Sequence, residues 1–436
     1  MVRCRECDDC PTIFHTTVAM SSLVRIFSTA RRSAFAINSF TSKSCRILVQ
    51  LYVVMNLTPK KTKRAHKARF IAAVLGSTVA VSSLSVVSVS AAASHSSVPT
   101  ILLYNAQGYG DKVAATFNAT NPGFKIVVDD DSTGPLFTKI QAEMAAGSPK
   151  WGMFWADGAT EFAALDKLGY LVRYVIPKTA TYNASGLTNV PADRSFAPTG
   201  VTATGALCYD SVASKGIKIA TTMADLTTMP KGAVGMNNPS QSGPTYPLIA
   251  GVMAHLGGIT YEETPTTAQV NSAIKKGESF YLALKKNGLQ VHETNGPTLG
   301  AMQSNPATLD MATIQSSACY GNIDAQPQSL WSTGKVKYLD YSVALPSNIA
   351  VDNKLSPALQ ADAEKFVAFV TSAKGQLAMQ KGDPYGDGLF WPVIKGVNPE
   401  KFLPAYASAR AYAINPYVWG PLENQINTWF TNNIIN

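Results

Sequence analysis

Histidine and recognisable catalytic motifs are scarce in this 436-residue chain. Of its 5 histidines, only His95, His255 and His292 lie beyond residue 93. No H-E-x-x-H, G-x-S-x-G, Walker-type or G-x-G-x-x-G segment occurs. These absences argue against zinc peptidases, hydrolases with a nucleophile elbow, and proteins with a nucleotide-binding loop. We therefore expect a binding protein that is not an enzyme, with no catalytic residues and no cofactor.

Charge is also sparse, and its sign is unevenly distributed along the chain. The formal net charge of +9 would suggest a nucleic-acid or membrane partner. However, residues 1–93 hold 13 Lys/Arg and 3 Asp/Glu, whereas residues 94–436 hold 24 Lys/Arg and 25 Asp/Glu. The larger part of the chain is nearly neutral and offers no basic face. We expect no nucleic-acid partner.

The basic N-terminal part has the organisation of an export signal. Basic residues between Lys60 and Arg69 precede the uncharged stretch Phe70–Val89, and Ala91-Ala92-Ala93 provides small residues for cleavage. We expect a signal peptide over residues 55–93 and a periplasmic or secreted protein, with an extension of doubtful translation over residues 1–54. The alternative is a membrane anchor, because 20 uncharged residues could just span a bilayer.

Few cysteines remain once this leader is set aside. Cys4, Cys7 and Cys10 are spaced like metal ligands, but no second ligand cluster follows them, so we expect no metal site there. Cys208 and Cys319 lie beyond the leader, and an oxidising compartment would permit a disulfide between them. The sequence leaves that disulfide open, because it does not give the separation of their Cα atoms.

Strand and helix patterns alternate over residues 100–168, which predicts an α/β fold with a mostly parallel sheet. Ligands on such sheets bind beyond the carboxyl ends of the strands. This places Gln107-Gly108, Ser132-Thr133-Gly134 and Asp157-Gly158 together along one edge of the sheet. We expect all of these residues to contact a ligand.

A second α/β unit follows, and the chain then returns to the first. The stretch 343–351 is predicted to be a returning strand, and 356–380 a single long helix. Two lobes joined by strands would permit hinge closure. The predicted lobes are 98–205 plus about 338–395 for lobe 1, and 206–337 plus about 396–436 for lobe 2.

Two similar elements predict helix starts at which an anion could bind. Ser242-Gly243-Pro244-Thr245 places a capping residue, a glycine and a proline before an apolar helix, and Ser132-Thr133-Gly134-Pro135 repeats the arrangement. Free N–H groups and the helix dipole favour a phosphate, phosphonate, sulfonate or carboxylate at such a start. The alternative is that both elements are ordinary helix caps.

Several short segments together resemble one protein family. Asp130–Leu136, Lys139–Glu143, Phe154–Gly158, Asn238–Tyr246 and Trp419–Pro421 are similar to segments of the bacterial extracellular solute-binding proteins, family 1, and most closely to their iron/phosphonate-type branch. The resemblance implies a type II periplasmic-binding-protein fold, with two α/β lobes joined by crossing strands around an interlobe ligand cleft. It further implies a monomer that hands a small ligand to the transmembrane permease subunits of an ABC importer.

The resemblance also suggests where the ligand set lies. Ferric-binding relatives use a histidine after the first strand, an acidic residue after the third, and adjacent tyrosines in the second lobe. The matching places here hold Gln107-Gly108, then Asp157, and then the segment containing Gln315, Ser316 and Tyr320. Fe³⁺ prefers several anionic oxygen ligands, so the depleted set favours a small anion of the phosphonate or phosphate-ester type.

Two other interpretations stay open at this stage. The first is a ferric-iron-binding protein of the same fold, with Asp157 and Tyr320 as metal ligands. The second, more distant, is an exported hydrolase of anionic esters that uses His255 or His292.

Overall fold

The computed structural model describes residues 98–176, 181–212, 214–323 and 331–436. The predicted signal peptide, the extension before it, and Cys4, Cys7 and Cys10 lie outside these residues. Within residues 92–436 the chain forms one compact unit. No helix in the described part of the chain is long and apolar enough to cross a membrane.

The first sheet is built by the predicted alternation of strands and helices. Its first three strands are parallel and lie in the order β2-β1-β3. They and their helices are β1 (Thr100–Asn105), α1 (Gly110–Asn118), β2 (Lys125–Asp130), α2 (Thr133–Ala145), β3 (Met153–Asp157), α3 (Thr160–Lys167) and α4 (Ala184–Leu187).

Two long strands connect the first sheet to the rest of the molecule. They are β4 (Phe196–Thr204) and β10 (Ser342–Val351), which pair antiparallel and are buried along their whole length. β10 also pairs antiparallel with β3. The sheet is therefore mixed rather than mostly parallel, because the chain returning from the second half enters it in the opposite direction. A short strand, β11 (Ala411–Tyr412), pairs with the beginning of β10.

The second sheet has the order β7-β6-β8-β5-β9, and its strands β7, β6 and β8 are parallel. β5 is antiparallel to both β8 and β9. The elements of this half are β5 (Ala206–Asp210), a 3-10 helix (Ala224–Thr228), β6 (Val234–Asn237), α5 (Thr245–Gly257), α6 (Thr267–Lys286), β7 (Gln290–His292), α7 (Asn295–Gln303), β8 (Met311–Ile314), α8 (Ser316–Ile323) and β9 (Gly334–Lys337). The helix α7 had no counterpart in the sequence prediction.

The predicted single helix over 356–380 is wrong, because the structure has two helices there. α9 (Pro357–Val370) ends at Thr371, and α10 (Ala373–Gly382) begins after Ser372, whose hydroxyl accepts a hydrogen bond from the Gly375 N–H. This cap competes with helix continuation. The chain closes with a 3-10 turn (Tyr406–Ala409), α11 (Pro416–Trp419), a 3-10 turn (Gly420–Leu422), α12 (Glu423–Phe430) and a π turn (Thr431–Ile435).

Each sheet has its own hydrophobic core. Trp155 and Ile349 belong to the core of the first sheet, whereas Leu207 and Phe430 belong to that of the second. Val343 lies in the second core although it is on the same strand as Ile349, so β10 passes from one core to the other. We refer to the part built on the first sheet as lobe 1 and the part built on the second as lobe 2. This arrangement is the predicted two-lobe fold.

The disulfide that the sequence left open is formed. Cys208 on β5 and Cys319 on α8 are bonded, with their Cα atoms 5.9 Å apart. Both residues are fully buried in lobe 2. The bond therefore fixes a helix of lobe 2 to its own sheet and does not connect the two lobes.

Candidate functional site

In lobe 1, the carboxyl ends of three neighbouring strands bring the predicted loops together. Asn105, Asp130 and Asp157 are the last residues of β1, β2 and β3. The segments Gln107-Gly108, Ser132–Gly134 and Asp157-Gly158 follow these strands directly. The structure thus places them along one edge of the sheet, as expected for parallel strands.

Lobe 2 has a corresponding edge at the ends of β7, β6 and β8. His292 and Asn237 end β7 and β6, and Gln315 directly follows β8. Gln315 precedes Ser316, the first residue of α8, while Ser242 and Gly243 precede α5. The predicted residues of lobe 2 therefore also lie beyond strand carboxyl ends.

Asp157 and Gln315 join these two edges. The Gln315 Nε2 donates a hydrogen bond of 2.7 Å to Asp157 Oδ2. The Ser347 hydroxyl, on the connecting strand β10, donates to Asp157 Oδ1. All three side chains are buried. One carboxylate thus connects lobe 1, a crossing strand and lobe 2.

The hydrogen bonds continue from Gln315 through lobe 2. Asn295 Nδ2 donates to Gln315 Oε1 at 3.3 Å, and Asn237 Nδ2 donates to Asn295 Oδ1 at 2.7 Å. Asn237 Nδ2 also donates to the Ser242 hydroxyl at 3.1 Å. Sequence reasoning missed Ser347, Asn237 and Asn295. Asn237 carried a usable signal, since it ends a strand five positions before Ser242, the first residue of the Ser-Gly-Pro-Thr element.

The two predicted helix starts also meet across the lobes. A β-carbon added at Gly243 would collide with Thr133 Oγ1, and one added at Gly134 would collide with the backbone carbonyl oxygen of Ser240. Thr133 and Thr245 are both buried. The start of α2 is therefore packed against the loop that leads into α5.

The predicted cap position is correct for Ser132 and wrong for Ser242. Ser132 is the N-cap of α2 and Pro244 is the N-cap of α5, and neither makes a side-chain capping bond. The Ser242 hydroxyl accepts a hydrogen bond from Asn237, and its backbone carbonyl accepts one from the Thr245 N–H. The turn through Gly243 and Pro244 thus separates Ser242 from the helix.

The remaining predicted residues have more local roles. The backbone of Gly158 has φ +96°, and its N–H and C=O bond to Pro346 O and Asn348 Nδ2, so it holds the turn after β3. The Ser316 hydroxyl accepts from the Ala203 N–H at 3.2 Å. Tyr320 packs with Leu389 and Leu403. The described residues contain no group of three or more His, Cys, Asp or Glu that could hold a metal ion.

Gln107 lies beside Asp157 with an unsatisfied amide. Its side chain is 1% exposed and lies close enough to Asp157 to lower the pKa of that carboxyl, yet within the described residues neither its Nε2 nor its Oε1 makes a hydrogen bond of normal geometry. The buried hydroxyl of Tyr109, two residues along, likewise makes no hydrogen bond of normal geometry there, although the Ser347 and Thr199 hydroxyls lie close enough to lower its pKa. Buried polar groups without partners are uncommon in folded proteins and favour a ligand or water at such a place.

A segment distant in sequence covers this loop. The Gly108 N–H donates to Asp387 Oδ2 at 2.9 Å, and the Asp387 N–H donates to Asp383 Oδ2 at 2.7 Å. Both aspartates follow α10. Sequence reasoning missed Asp387 and Asp383, since no motif marks them and they are far along the chain from β1.

The carboxyls at this site are not neutralised by basic side chains. Burial raises the pKa of Asp157, although the Ser347, Gln107 and Gln315 side chains oppose the rise. Burial, followed by the nearby charge of Asp157, raises the pKa of Asp387 to about 8. Among the residues that the structure describes, the ion pairs are Lys139–Asp129, Arg173–Asp193 and Lys365–Asp362, all away from these two carboxyls.

Two α/β lobes, strands that connect them and a polar site between their strand ends define a periplasmic-binding-protein type of molecule. A family model described as bacterial extracellular solute-binding protein matches residues 112–411. The chain belongs to that family, as its motifs had suggested. No curated protein is similar enough in sequence to match it.

Solved structures share the fold at low sequence identity. Iron-bound HitA from Pseudomonas aeruginosa has a TM-score of 0.61 and 18% identity, covering 76% of this chain and 98% of that one. AfuA from Actinobacillus pleuropneumoniae, with fructose-6-phosphate bound, has a TM-score of 0.62 and 15% identity, covering 77% and 98%. A periplasmic thiamin binding protein has a TM-score of 0.58 and 15% identity, covering 77% and 96%. The similarity establishes the fold, and the family and these neighbours are substrate-binding proteins.

Proposed function

We propose that this protein is the substrate-binding component of an ABC-type import system, which captures a small solute between its lobes and delivers it to a membrane permease. The hydrogen bond from Gln315 to Asp157 is the observation that carries the proposal, because it joins the two edges at which a solute would be held. Rotation about β4 and β10 would open and close the cleft. The role is capture rather than catalysis.

We also propose that the protein is exported from the cytoplasm and acts as a monomer. The protein would act in the periplasm or outside the cell after removal of residues 55–93. Its lobes would follow the sequence boundaries: 98–205 plus about 338–395, and 206–337 plus about 396–436.

One candidate class of solute is an anion of the phosphonate or phosphate-ester type. Its support is the meeting of the two helix starts, where Thr133 packs against Gly243. Neither α2 nor α5 carries an acidic residue in its first turn, so an anion would meet no repulsion from those turns. The carboxyls at Asp157 and Asp387 lie beside this region without a basic partner and favour the opposite charge.

The other two interpretations have weaker support. A ferric site at Asp157 and Tyr320 would need further anionic ligands, and no acidic, histidine or cysteine cluster in the described chain supplies them. For the hydrolase, His255 is exposed at the end of α5 and stacks on Tyr341 with 3.8 Å between ring centroids. His292 ends β7, and burial lowers its pKa. In the described part of the chain, neither imidazole is hydrogen-bonded to a hydroxyl group that could act as a nucleophile.

The test is native mass spectrometry of protein purified from its own host, followed by calorimetry with the solute found. The Gln315→Ala variant should weaken binding by about tenfold or more, because a hydrogen bond to a charged group contributes about 1.5–3 kcal/mol. Gln303→Ala is the matched control, since Gln303 bonds only to Asn322 at the surface. Equal affinity in both variants, or the absence of any retained solute, would contradict the proposal.

A further inference from the structure

The carboxyls Asp157 and Asp387 lie near each other close to the end of β1, and none of the ion pairs among the described residues includes either of them. The Gly108 N–H lies 2.9 Å from Asp387 Oδ2, which places this carboxyl over the β1–α1 loop. Burial raises the pKa of the Tyr109 hydroxyl, and the nearby charges of Asp157 and Asp387 raise it further. The Asp383 carboxylate accepts a hydrogen bond from the Asp387 N–H and also lies against Gly108.

The cluster is not the only sign of a ligand here. Gln107 is 1% exposed and lies beside Asp157, yet its amide oxygen and nitrogen have no hydrogen-bond partner in the described chain. The Tyr109 side chain is 0% exposed, and its hydroxyl also makes no hydrogen bond of normal geometry in the described chain. The Gln107 amide oxygen adds a strong hydrogen-bond acceptor to the two carboxyls. The Gln107 amide nitrogen adds a donor, and the Tyr109 hydroxyl can donate or accept.

We propose, building on the function above, that the captured solute carries an organic ammonium group and that this group binds where Asp157, Asp387, Gln107 and Tyr109 converge. A primary ammonium has three donors and no acceptor, which matches two carboxylates and the Gln107 Oε1. Asp157 already accepts a hydrogen bond from an N–H donor of the opposite lobe, the Gln315 side-chain amide. A carboxylate has about four acceptor positions, so Asp157 can receive an ammonium as well.

A metal ion or an anion fits these groups less well. No group of three or more acidic, histidine or cysteine side chains in the described residues could hold a metal. An anion would oppose the ionisation of both carboxyls and would supply no positive charge to balance them. An organic ammonium would balance the charge of the carboxyls and would also donate a hydrogen bond to the Gln107 amide oxygen.

This chemistry predicts a characteristic pH dependence. Asp387, whose pKa is raised to about 8 by burial and Asp157, is mostly protonated in the free protein at pH 7. Asp383 and Asp130 also face it and act in the same direction. An ammonium favours the ionised carboxyl, so binding should release a proton and become about three- to tenfold tighter between pH 6 and pH 8. An anion should show the reverse trend.

The experiment is isothermal titration calorimetry at pH 6, 7 and 8 on the exported protein, freed of bound solute by reversible unfolding. The probes are 1,4-diaminobutane and ethanolamine as amines, and methylphosphonate as the anion. Asp387→Asn should weaken amine binding at least tenfold and remove its pH dependence. Asp362→Asn, which alters only a surface pair with Lys365, should leave both unchanged.

A second variant guards against a folding defect. Methionine is similar in size to glutamine, so Gln107→Met should change the melting temperature little while it removes the amide that faces Asp157 and weakens amine binding. No amine binding at 1 mM, or amine binding that neither variant changes, would overturn the ammonium site. If methylphosphonate binds and the amines do not, the ammonium site fails while the transport function stands. If no probe binds and no solute is retained from the host, both fail.

Discussion

Glu161 and Glu423 form a second pair of buried carboxyls near the lobe boundary. Glu161 is on α3 and accepts a hydrogen bond of 2.8 Å from the Thr160 hydroxyl, while Glu423 begins α12 and has one buried oxygen without a partner in the described chain. Burial raises the pKa of Glu161 to about 7, with a smaller contribution from Asp157. Burial and the charge of Glu161 raise the pKa of Glu423. These side chains therefore favour the protonated state.

This pair predicts that stability falls as the pH rises. A carboxyl whose folded pKa is raised binds more protons in the native state, so its stabilisation is complete below the unfolded pKa of about 4.3 and is lost as the pH rises through about 7. Glu161→Gln should remove this loss and increase the free energy of unfolding at pH 8, by up to about 3 kcal/mol, with little change at pH 4.5. Urea unfolding at both pH values measures the difference.

Glu400→Gln is the control for this substitution, because Glu400 is exposed and has no such burial. Its free energy of unfolding should follow the wild type at both pH values. A wild-type stability that is flat between pH 4.5 and pH 8 would contradict the assignment.

The two loops that meet between the lobes are the elements most sensitive to a small change in volume. Gly243 leaves room for Thr133, and Gly134 leaves room for the Ser240 carbonyl. Their backbones are not in the left-handed region, so glycine is needed here for the close approach of the lobes rather than for its conformational freedom. The packing exists only when the lobes are together.

Gly243→Ala should therefore hinder closure without unfolding either lobe. Overpacking costs about 1–3 kcal/mol, which corresponds to roughly 5- to 150-fold weaker solute binding. The melting temperature of the solute-free protein should change little. Calorimetry with the retained solute, together with differential scanning calorimetry, measures both quantities.

Gly300→Ala is the matched control, since a β-carbon there has no neighbour within 4 Å. It should leave the solute affinity unchanged. Equal affinities for the two variants would show that the Gly243 contact does not limit closure.

For the whole molecule, the disulfide predicts unequal stability of the two lobes. Cys208 and Cys319 are separated by 111 residues, and both belong to lobe 2. In the chain-entropy model, a loop of this length gives about 4–5 kcal/mol of stabilisation, although measured values often lie near 2–4 kcal/mol. Replacing both cysteines by serine should lower the unfolding transition of lobe 2 and affect lobe 1 less. Two separated calorimetric transitions are expected, and a uniform downward shift of a single transition would argue against this assignment.

The sequence predicted the site residues that lie at the end of a strand or directly after it. Asp157 was predicted because parallel strands present their carboxyl ends at one edge, whichever loops connect them, whereas Gln315 was predicted from the family resemblance. The break between α9 and α10 was missed because the Ser372 cap overrides a continuous helical pattern. Ser347 was missed because it reaches Asp157 from the middle of a crossing strand, not from its end.

The sequence by itself determined the α/β class, the family and the strand ends at which polar residues lie, because these depend on local periodicity and short motifs. Only the tertiary structure decided which residues meet. Asp387 reaches the β1–α1 loop, and Glu423 reaches Glu161, across more than two hundred residues of chain. Only the structure could show the resulting charge environment, because burial and the proximity of carboxyls from distant segments arise when the lobes fold and pack.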